Sequence, residues 1–461
     1  MDSGRSGHAI VLGAGVAGLL AARVLAEHYQ TVTVLERDTL AGTAQRRGVP
    51  QGRHLHGLME GGRAIMESLF PGITAEAIGR GAPVTEVLLG SRWYLSGLRA
   101  CPTPTGLTTL LASRPLLESL MRDRVMATPG VSLRQGAVAD GPVTAAGAIG
   151  GVQVRPVGGG EPASLAADLV VDATGRASRA AEWLASAGLP VPGTERVDVD
   201  LGYSSRTYRH RPDHLDGDLG VVVSTMPGRR GGGAIRVEGN RWHVTLGGML
   251  GDHPPTDDAG FEAFAATLPV PDIHRLIADA EPLDDPVPHR FTGSLRHCFE
   301  RLGHHPAGFL VLGDALCSFN PLYAQGMTVA AQQALALRDC LREVRHESAD
   351  DLPRRFYARA APLIDTAWQM STNADLNHPG VRGKRSLRTR FTNAYVHRCH
   401  VAAHTDPAVA RTFMRVANLV EPATVLLRPG TIARVLRHGA DSEPPRPRPE
   451  RRPAARTAGT A

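Results

Sequence analysis

The sequence predicts an α/β fold: a parallel-sheet domain interrupted by an antiparallel β-sheet and followed by C-terminal helices. Three observations predict it. A strand, a glycine-rich turn, a helix and a second strand follow one another at the start; alternating strand-like runs fill the middle; helical periodicity fills the end. The 461 residues suffice for two packed domains, and 42% hydrophobic with 21% charged residues is ordinary for a globular chain.

His8 to Leu12 reads as a β-rich run. Gly13-Ala14-Gly15-Val16-Ala17-Gly18 then opens an alanine- and leucine-rich helix reaching about His28, and Thr31 to Leu35 is a second strand. Residues 41–57 read as a loop feeding a helix near Leu58 to Phe70. Arg114 to Met126 is helical, Val131 to Val138 a strand, Gly141 to Gly160 a glycine-rich hairpin region, and Asp168 to Asp172 a buried strand. From Asp198 to Phe291 the runs alternate, as in Arg241-Trp242-His243-Val244-Thr245-Leu246, which predicts an antiparallel sheet. Phe309 to Leu312 is again a buried strand and Thr328 to Arg345 a helix. Asp406 is placed to cap a helix with Pro407 at its first position and Val409, Phe413, Val416 and Val420 on one face. The Pro- and Arg-rich segment 441–461 cannot bury a core and reads as a disordered tail.

Composition excludes several classes. Of the 51 basic residues, only Lys384 is a lysine, so the net charge of +6 records codon usage rather than a nucleic-acid surface. Cys101, Cys298, Cys317, Cys340 and Cys399 are scattered singly, which argues against a disulfide framework and for a reducing cytoplasm. Ala9 to Ala22 is apolar but too short to span a bilayer. The stretch Thr431 to Arg437 is expected to pack on its own domain rather than lie on a membrane. His54 and His56 have no third partner in the sequence, so no metal site is expected.

The chemistry begins at the glycines. In strand–turn–helix context, Gly13 allows the tight turn and Gly15 lets backbone approach a pyrophosphate at the helix N-terminus. Gly18 permits close packing, and Glu36 at the end of the next strand can bind ribose hydroxyls. Which dinucleotide is bound is set further along. Phe309 to Leu312 ends in Gly313-Asp314, where a carboxylate can bind a polyol such as the ribityl chain of FAD. Asn320-Pro321-Leu322-Tyr323-Ala324-Gln325-Gly326-Met327 then starts a helix whose N-terminal amides stabilise negative charge on a reduced flavin. The expected cofactor is FAD.

With these pieces in place the chain resembles the FAD-dependent monooxygenases of the aromatic-hydroxylase and squalene-epoxidase type, over roughly residues 8–345. Arg47-Gly48-Val49-Pro50-Gln51-Gly52-Arg53-His54-Leu55-His56 is most similar to bacterial polyene epoxidases of polyether biosynthesis. The resemblance implies a Rossmann-like FAD-binding domain interrupted by an antiparallel β-sheet substrate domain, with C-terminal helices. Its segments are 1–80, 111–195 and 296–345 for FAD, 81–110 and 196–295 for substrate, 346–440 helical, and the tail. It implies cofactor contacts at Gly13 through Gly18, Glu36, Arg37, Gln51, Arg53, His54, Arg114, Val138, Asp172, Ala173, Gly175, Asp314, Pro321, Gly326 and Met327. His54 and Tyr323 are pocket candidates.

Asp172-Ala173-Thr174-Gly175 departs from the usual Asp-Gly of the aromatic hydroxylases, and Thr328 stands where they carry Asn. These departures bear on NADPH use and phenol activation, not on FAD. The implied reaction inserts one oxygen atom of O2, through a flavin C4a-hydroperoxide, by epoxidation or hydroxylation of a large, mostly apolar secondary-metabolite intermediate. Electrons come from NAD(P)H or from reduced flavin supplied by a partner reductase, since no second glycine fingerprint follows a strand. Trp93, Tyr94, Tyr203, Tyr208 and Trp242 are either cavity lining or core. Halogenation is disfavoured because it needs an active-site lysine and a W-x-W-x-I-P segment that the chain lacks. Reduction of prenyl or polyene double bonds and a non-catalytic flavoprotein remain the alternatives.

Overall fold

The computed structural model describes residues 6–43, 46, 50–145, 147–344 and 351–438, so the expected tail at 441–461 lies outside the described residues. Five parallel strands form the first sheet, in the order Phe309–Val311, Leu169–Asp172, His8–Leu12, Thr31–Glu36, Val131–Gln135. Covered on both faces, they are continuous apolar runs, with Ala9, Ile10, Val11 and Leu12 all buried. Helix α1 (Val16–Leu25) crosses between the first two strands and buries Leu19, Leu20 and Val24; it stops at Leu25 rather than near His28.

Helices α2 (Glu60–Leu69) and α3 (Ile73–Gly79) precede α4 (Arg114–Met126), which has the bounds expected. Its start is fixed locally: the Ser113 side chain accepts a hydrogen bond from the Leu116 amide at 3.3 Å, and a proline occupies the first turn. The expected strand Val131 to Val138 is two strands. Gly136, at φ +63°, breaks it, and Ala137–Ala145 departs to a three-stranded antiparallel sheet with Ala148–Pro156 and Ala163–Ala166.

Helix α5 (Ala180–Ser186) leads to an eight-stranded sheet containing Thr194–Arg209, Arg241–Gly248, Arg230–Val237 and Val287–His297. The sheet is antiparallel with one exception: Arg92–Leu95, arriving from the 81–110 segment, runs parallel to Gly220–Val223. Along Arg241–Gly248 the period of two holds. Trp242, Val244 and Leu246 are fully buried against Phe261 of α6 (Asp258–Ala266) and Ile273 of α7 (Asp272–Asp279), while His243 and Thr245 take the opposite face. That opposite face looks toward the parallel-sheet domain.

Helices α8 (Gly326–Val344), α9 (Leu352–Asp375), α10 (Leu387–Thr405), α11 (Pro407–Ala417) and α12 (Pro429–His438) complete the chain. Asp406 caps α11 as expected, accepting from the Ala408 and Val409 amides at 2.8 and 3.1 Å. Val409 and Val416 are buried, but Val420 is not part of that face: α11 ends at Ala417, and Val420 is exposed. Helix α12 packs inward through Val435. Among the described residues, no helix is long and apolar enough to cross a membrane.

Candidate active site

A single cavity of about 1790 Å³ runs between the parallel sheet, the large sheet and the C-terminal helices. Its inner end is the glycine turn. Gly13, Gly15, Val16 and Ala17 line it, as do Glu36 and Arg37 from the end of the next strand. The three glycines do different things. A Cβ on Gly18 would lie 1.9 Å from the Gly13 carbonyl oxygen, so helix and turn touch there. Gly13 has φ +94°, and its Cβ would lie 2.8 Å from the Ala173 carbonyl. Gly15 is different: its backbone is extended (φ −80°, ψ −178°), and its Cβ would meet nothing nearer than Glu118 at 4.0 Å. Nothing among the described residues requires glycine at 15; a group in the cavity would.

Ala14 lies behind the surface, and its amide donates to Glu36 Oε2 at 2.9 Å, while the Asp38 amide donates to Oε1 at 2.9 Å. Arg46 pairs with Glu36, with Glu118 at 3.0 Å and with the Ala14 carbonyl at 3.1 Å. This residue was hidden in a stretch that reads only as loop, because its partners come from two other segments.

Further along the same wall come Arg114, Val138, Ala173, Gly175, Asp314, Pro321, Gly326 and Met327, all of them expected there and all lining the cavity. Asp314 has no hydrogen-bond partner among the described residues, and Oδ1 lies 3.5 Å from where a Gly326 Cβ would sit. Burial raises its pKa, and the positive fields of Arg114 and Arg176 act against that. This half-buried carboxylate faces the cavity and can accept from hydroxyl groups, and the first amides of α8 lie beside it. Together with the open approach at Gly15, these features fit FAD: pyrophosphate at the α1 N-terminus, ribityl chain at Asp314, and the flavin's electron-rich edge at the α8 N-terminus.

Ala14, Gly18, Asp172 and Arg53, all expected as contacts, are not on the cavity. Asp172 is fully buried and accepts from Thr174 N and Oγ1 at 2.9 and 2.6 Å and from Ser178 Oγ at 2.6 Å, so it holds its own turn. Arg53 is exposed, and its carbonyl accepts from the His243 ring at 2.9 Å. Gln51 falls in the short turn Pro50–Arg53, and its side chain lies outside what is described.

His54 does line the cavity, buried and with Nδ1 2.8 Å from Ser205 Oγ, which in turn is 2.5 Å from Thr245 Oγ1. Its Nε2 has no partner among the described residues. Burial, with His289, His243 and Arg53 nearby, pushes its pKa down to about 3, so the ring is neutral. Tyr203 packs edge-on against it at 4.6 Å. His56, dismissed as a metal ligand, positions Arg114: guanidinium can only donate, so His56 Nε2 accepts at 3.2 Å and its Nδ1–H donates to the His54 carbonyl at 2.9 Å. Among the described residues, no group of side chains could hold a metal ion.

Tyr323 also lines the cavity, and its hydroxyl donates to Asp375 Oδ1 at 2.9 Å; Asn320 Nδ2 donates to the same oxygen at 2.7 Å. Asp375 is fully buried with Oδ2 unpartnered, and burial pushes its pKa up to about 7 against these two hydrogen bonds. Trp93, Tyr94 and Tyr203 line the cavity, whereas Tyr208 and Trp242 are core. Lys384 is exposed and off the cavity.

Residues 11–59 match the model of the NAD(P)-binding Rossmann-like domain. Over 444 residues the chain is 32% identical to Protein Rv3254 of Mycobacterium tuberculosis, covering 94% of this chain and 93% of that one. It is 28% identical over 389 residues to a kynurenine 3-monooxygenase of Salinispora arenicola, covering 79% and 78%. The chain belongs to the FAD-dependent monooxygenase family. In fold it is similar to PqsL, a probable FAD-dependent monooxygenase from Pseudomonas aeruginosa, at a TM-score of 0.61 and 17% identity over 80% of this chain and 97% of that one. As a member of this family it is an enzyme that uses FAD as cofactor and O2 as co-substrate. The expected architecture is present: a parallel Rossmann-like sheet, separate antiparallel sheets, and C-terminal helices.

Proposed function

We propose that this monooxygenase inserts one O2-derived oxygen atom into a large, mostly apolar secondary-metabolite intermediate. The observation that carries the reading is the continuity of the cavity. At about 1790 Å³ it exceeds the roughly 300–1,000 Å³ of a site for one small ligand. Beyond Gly326 it continues past Trp93, Leu95, Tyr395, Phe413 and Leu426. Bound FAD supplies the electrons that activate O2.

The chain's own residues do the rest. Gly13, Gly15 and the α1 N-terminus hold pyrophosphate, Glu36 the ribose, and Asp314 the ribityl chain; Arg37, Val138, Ala173, Gly175, Pro321 and Met327 shape the walls around them. His56 and Glu118 hold Arg114 (the latter at 2.9 Å), which keeps positive charge beside the site. Neutral His54 lines the cavity, and Ser205, itself hydrogen-bonded to Thr245, fixes its Nδ1. Tyr323 lines the α8 side of the cavity with its hydroxyl held by Asp375. The apolar walls exclude water from the reacting substrate.

The identity to a kynurenine 3-monooxygenase favours a second reading, hydroxylation of an aromatic ring rather than epoxidation of an alkene. Electrons arrive from NAD(P)H docking transiently or from a partner flavin reductase, in a cytoplasmic setting. Turnover under ¹⁸O2 separates the readings: a product carrying one ¹⁸O supports oxygenation, and its position distinguishes epoxide from phenol. A product that gains two hydrogens and no oxygen overturns it in favour of double-bond reduction.

A further inference from the structure

The outer end of the cavity carries a surface that neither the fold nor the reaction requires. Leu387 and Phe391, one turn apart at the start of α10, are 72% and 75% exposed, and Leu427 is 59% exposed. Phe391 and Leu427 both line the cavity, so they form its rim. They are neighbours: Tyr395, one turn beyond Phe391, donates its hydroxyl to the Leu426 carbonyl at 2.6 Å. Side chains this large are rarely left standing in water at the mouth of an apolar cavity without a partner.

The charge along the two segments that carry them has one sign. From Leu376 to Thr405 the sequence carries Arg382, Lys384, Arg385, Arg388, Arg390 and Arg398 and no Asp or Glu; from Pro422 to His438 it carries three arginines and again no acid. Arg388, Arg390, Arg398 and Arg428 are exposed and make no ion pair among the described residues. Arg385 is spent on the fold, donating to the Leu376, His378 and Val381 carbonyls. A second copy of the same face would meet like charge. The Arg-rich segment beyond residue 438 is itself net positive, so it would be repelled too. The occupant must be anionic, and it must accept protruding apolar side chains rather than supply them.

We propose that this rim docks on an anionic lipid surface, with Leu387, Phe391 and Leu427 entering the headgroup–acyl boundary and the arginines facing lipid phosphates. This reverses the expectation of no membrane contact, and moves the contact from the Thr431 to Arg437 segment to the first turn of α10. The proposal deepens the reading of a large apolar substrate, because the cavity would then open where such a molecule dissolves.

Co-sedimentation of the full-length, FAD-loaded protein with vesicles tests it without any substrate. The expected result is binding to phosphatidylglycerol-containing vesicles at least about tenfold stronger than to pure phosphatidylcholine, weakened by high salt. Leu387→Asp with Phe391→Asp should lower that binding by at least about tenfold. Arg388→Glu with Arg390→Glu should lower it while leaving the apolar turn intact. All four positions are exposed, so unchanged circular dichroism and flavin content are expected and exclude misfolding. No vesicle binding by the intact protein overturns the proposal, as does binding indifferent to both double variants. A dimer that Leu387→Asp with Phe391→Asp dissolves would overturn it by assigning the patch to a second copy. Vesicle binding with a product that contains no new oxygen would leave the membrane contact standing and remove only the oxygenase reading.

Discussion

Gly15→Ala and Gly18→Ala should behave as opposites. At Gly15 the backbone is ordinary extended chain and the nearest protein atom to a new methyl is 4.0 Å away, so the apoprotein should keep its stability to within about 0.5 kcal/mol. The methyl would stand where the pyrophosphate must approach the α1 amides. Losing two charge-assisted hydrogen bonds at about 1.5–3 kcal/mol each lowers FAD affinity by about 10²–10⁴-fold. At Gly18 a methyl would lie 1.9 Å from the Gly13 carbonyl, which forces helix and turn apart and costs about 1–3 kcal/mol or more of apoprotein stability. Calorimetric unfolding of the apoproteins and flavin fluorescence titration measure both quantities. Wild-type FAD affinity in Gly15→Ala would refute the reasoning, as would an unfolding temperature lowered as far as in Gly18→Ala.

Asp314→Ala should weaken FAD binding about 10–100-fold while the apoprotein keeps its fold, since the carboxylate is half-buried and lines the cavity; the same two measurements check it. Asp375→Asn tests the Tyr323 network through pH. The wild-type carboxyl is raised from 3.8 to about 7, so the folded state holds its proton over a range where the unfolded chain has lost it. Its stabilising contribution is full below pH 3.8 and is lost as pH rises through 7. Between pH 5 and 8 wild type should therefore lose roughly 2–3 kcal/mol relative to Asp375→Asn, read from denaturant midpoints. Equal pH dependence in the two proteins would contradict it. Trp242→Ala, fully buried between the large sheet and α6, should cost about 3–5 kcal/mol without changing FAD affinity in the protein that remains folded.

Local signals made much of the fold legible. Helix α4 is legible to the residue because its apolar residues keep helical spacing from Arg114 to Met126. The glycine turn was readable because its chemistry lies in the backbone of six adjacent residues. Gly136 was not, since one glycine inside an apolar run leaves open whether the strand continues or changes sheets. The site divides the same way. Asp314 and Gly326 sit at element ends, where sequence marks them. Arg46, His56, Glu118 and Asp375 each depend on a partner from a distant segment, such as Asp375 reaching back 55 residues to Asn320. Asp172 misled for the converse reason: it ends a strand as a binding carboxylate does, but Thr174 and Ser178 satisfy it first. Arg53 lies beside His54 in sequence, and the short turn there puts one outside and the other inside.

A crystal structure of the protein with FAD bound tests the central claim most directly. The account predicts pyrophosphate oxygens on the Gly15–Ala17 amides, ribityl hydroxyls on Asp314, and the flavin ring ending at Gly326 and Met327, with the cavity beyond it still open toward Phe391. A flavin ring that leaves Asp314 unpartnered, or that fills the space toward α10, would contradict it.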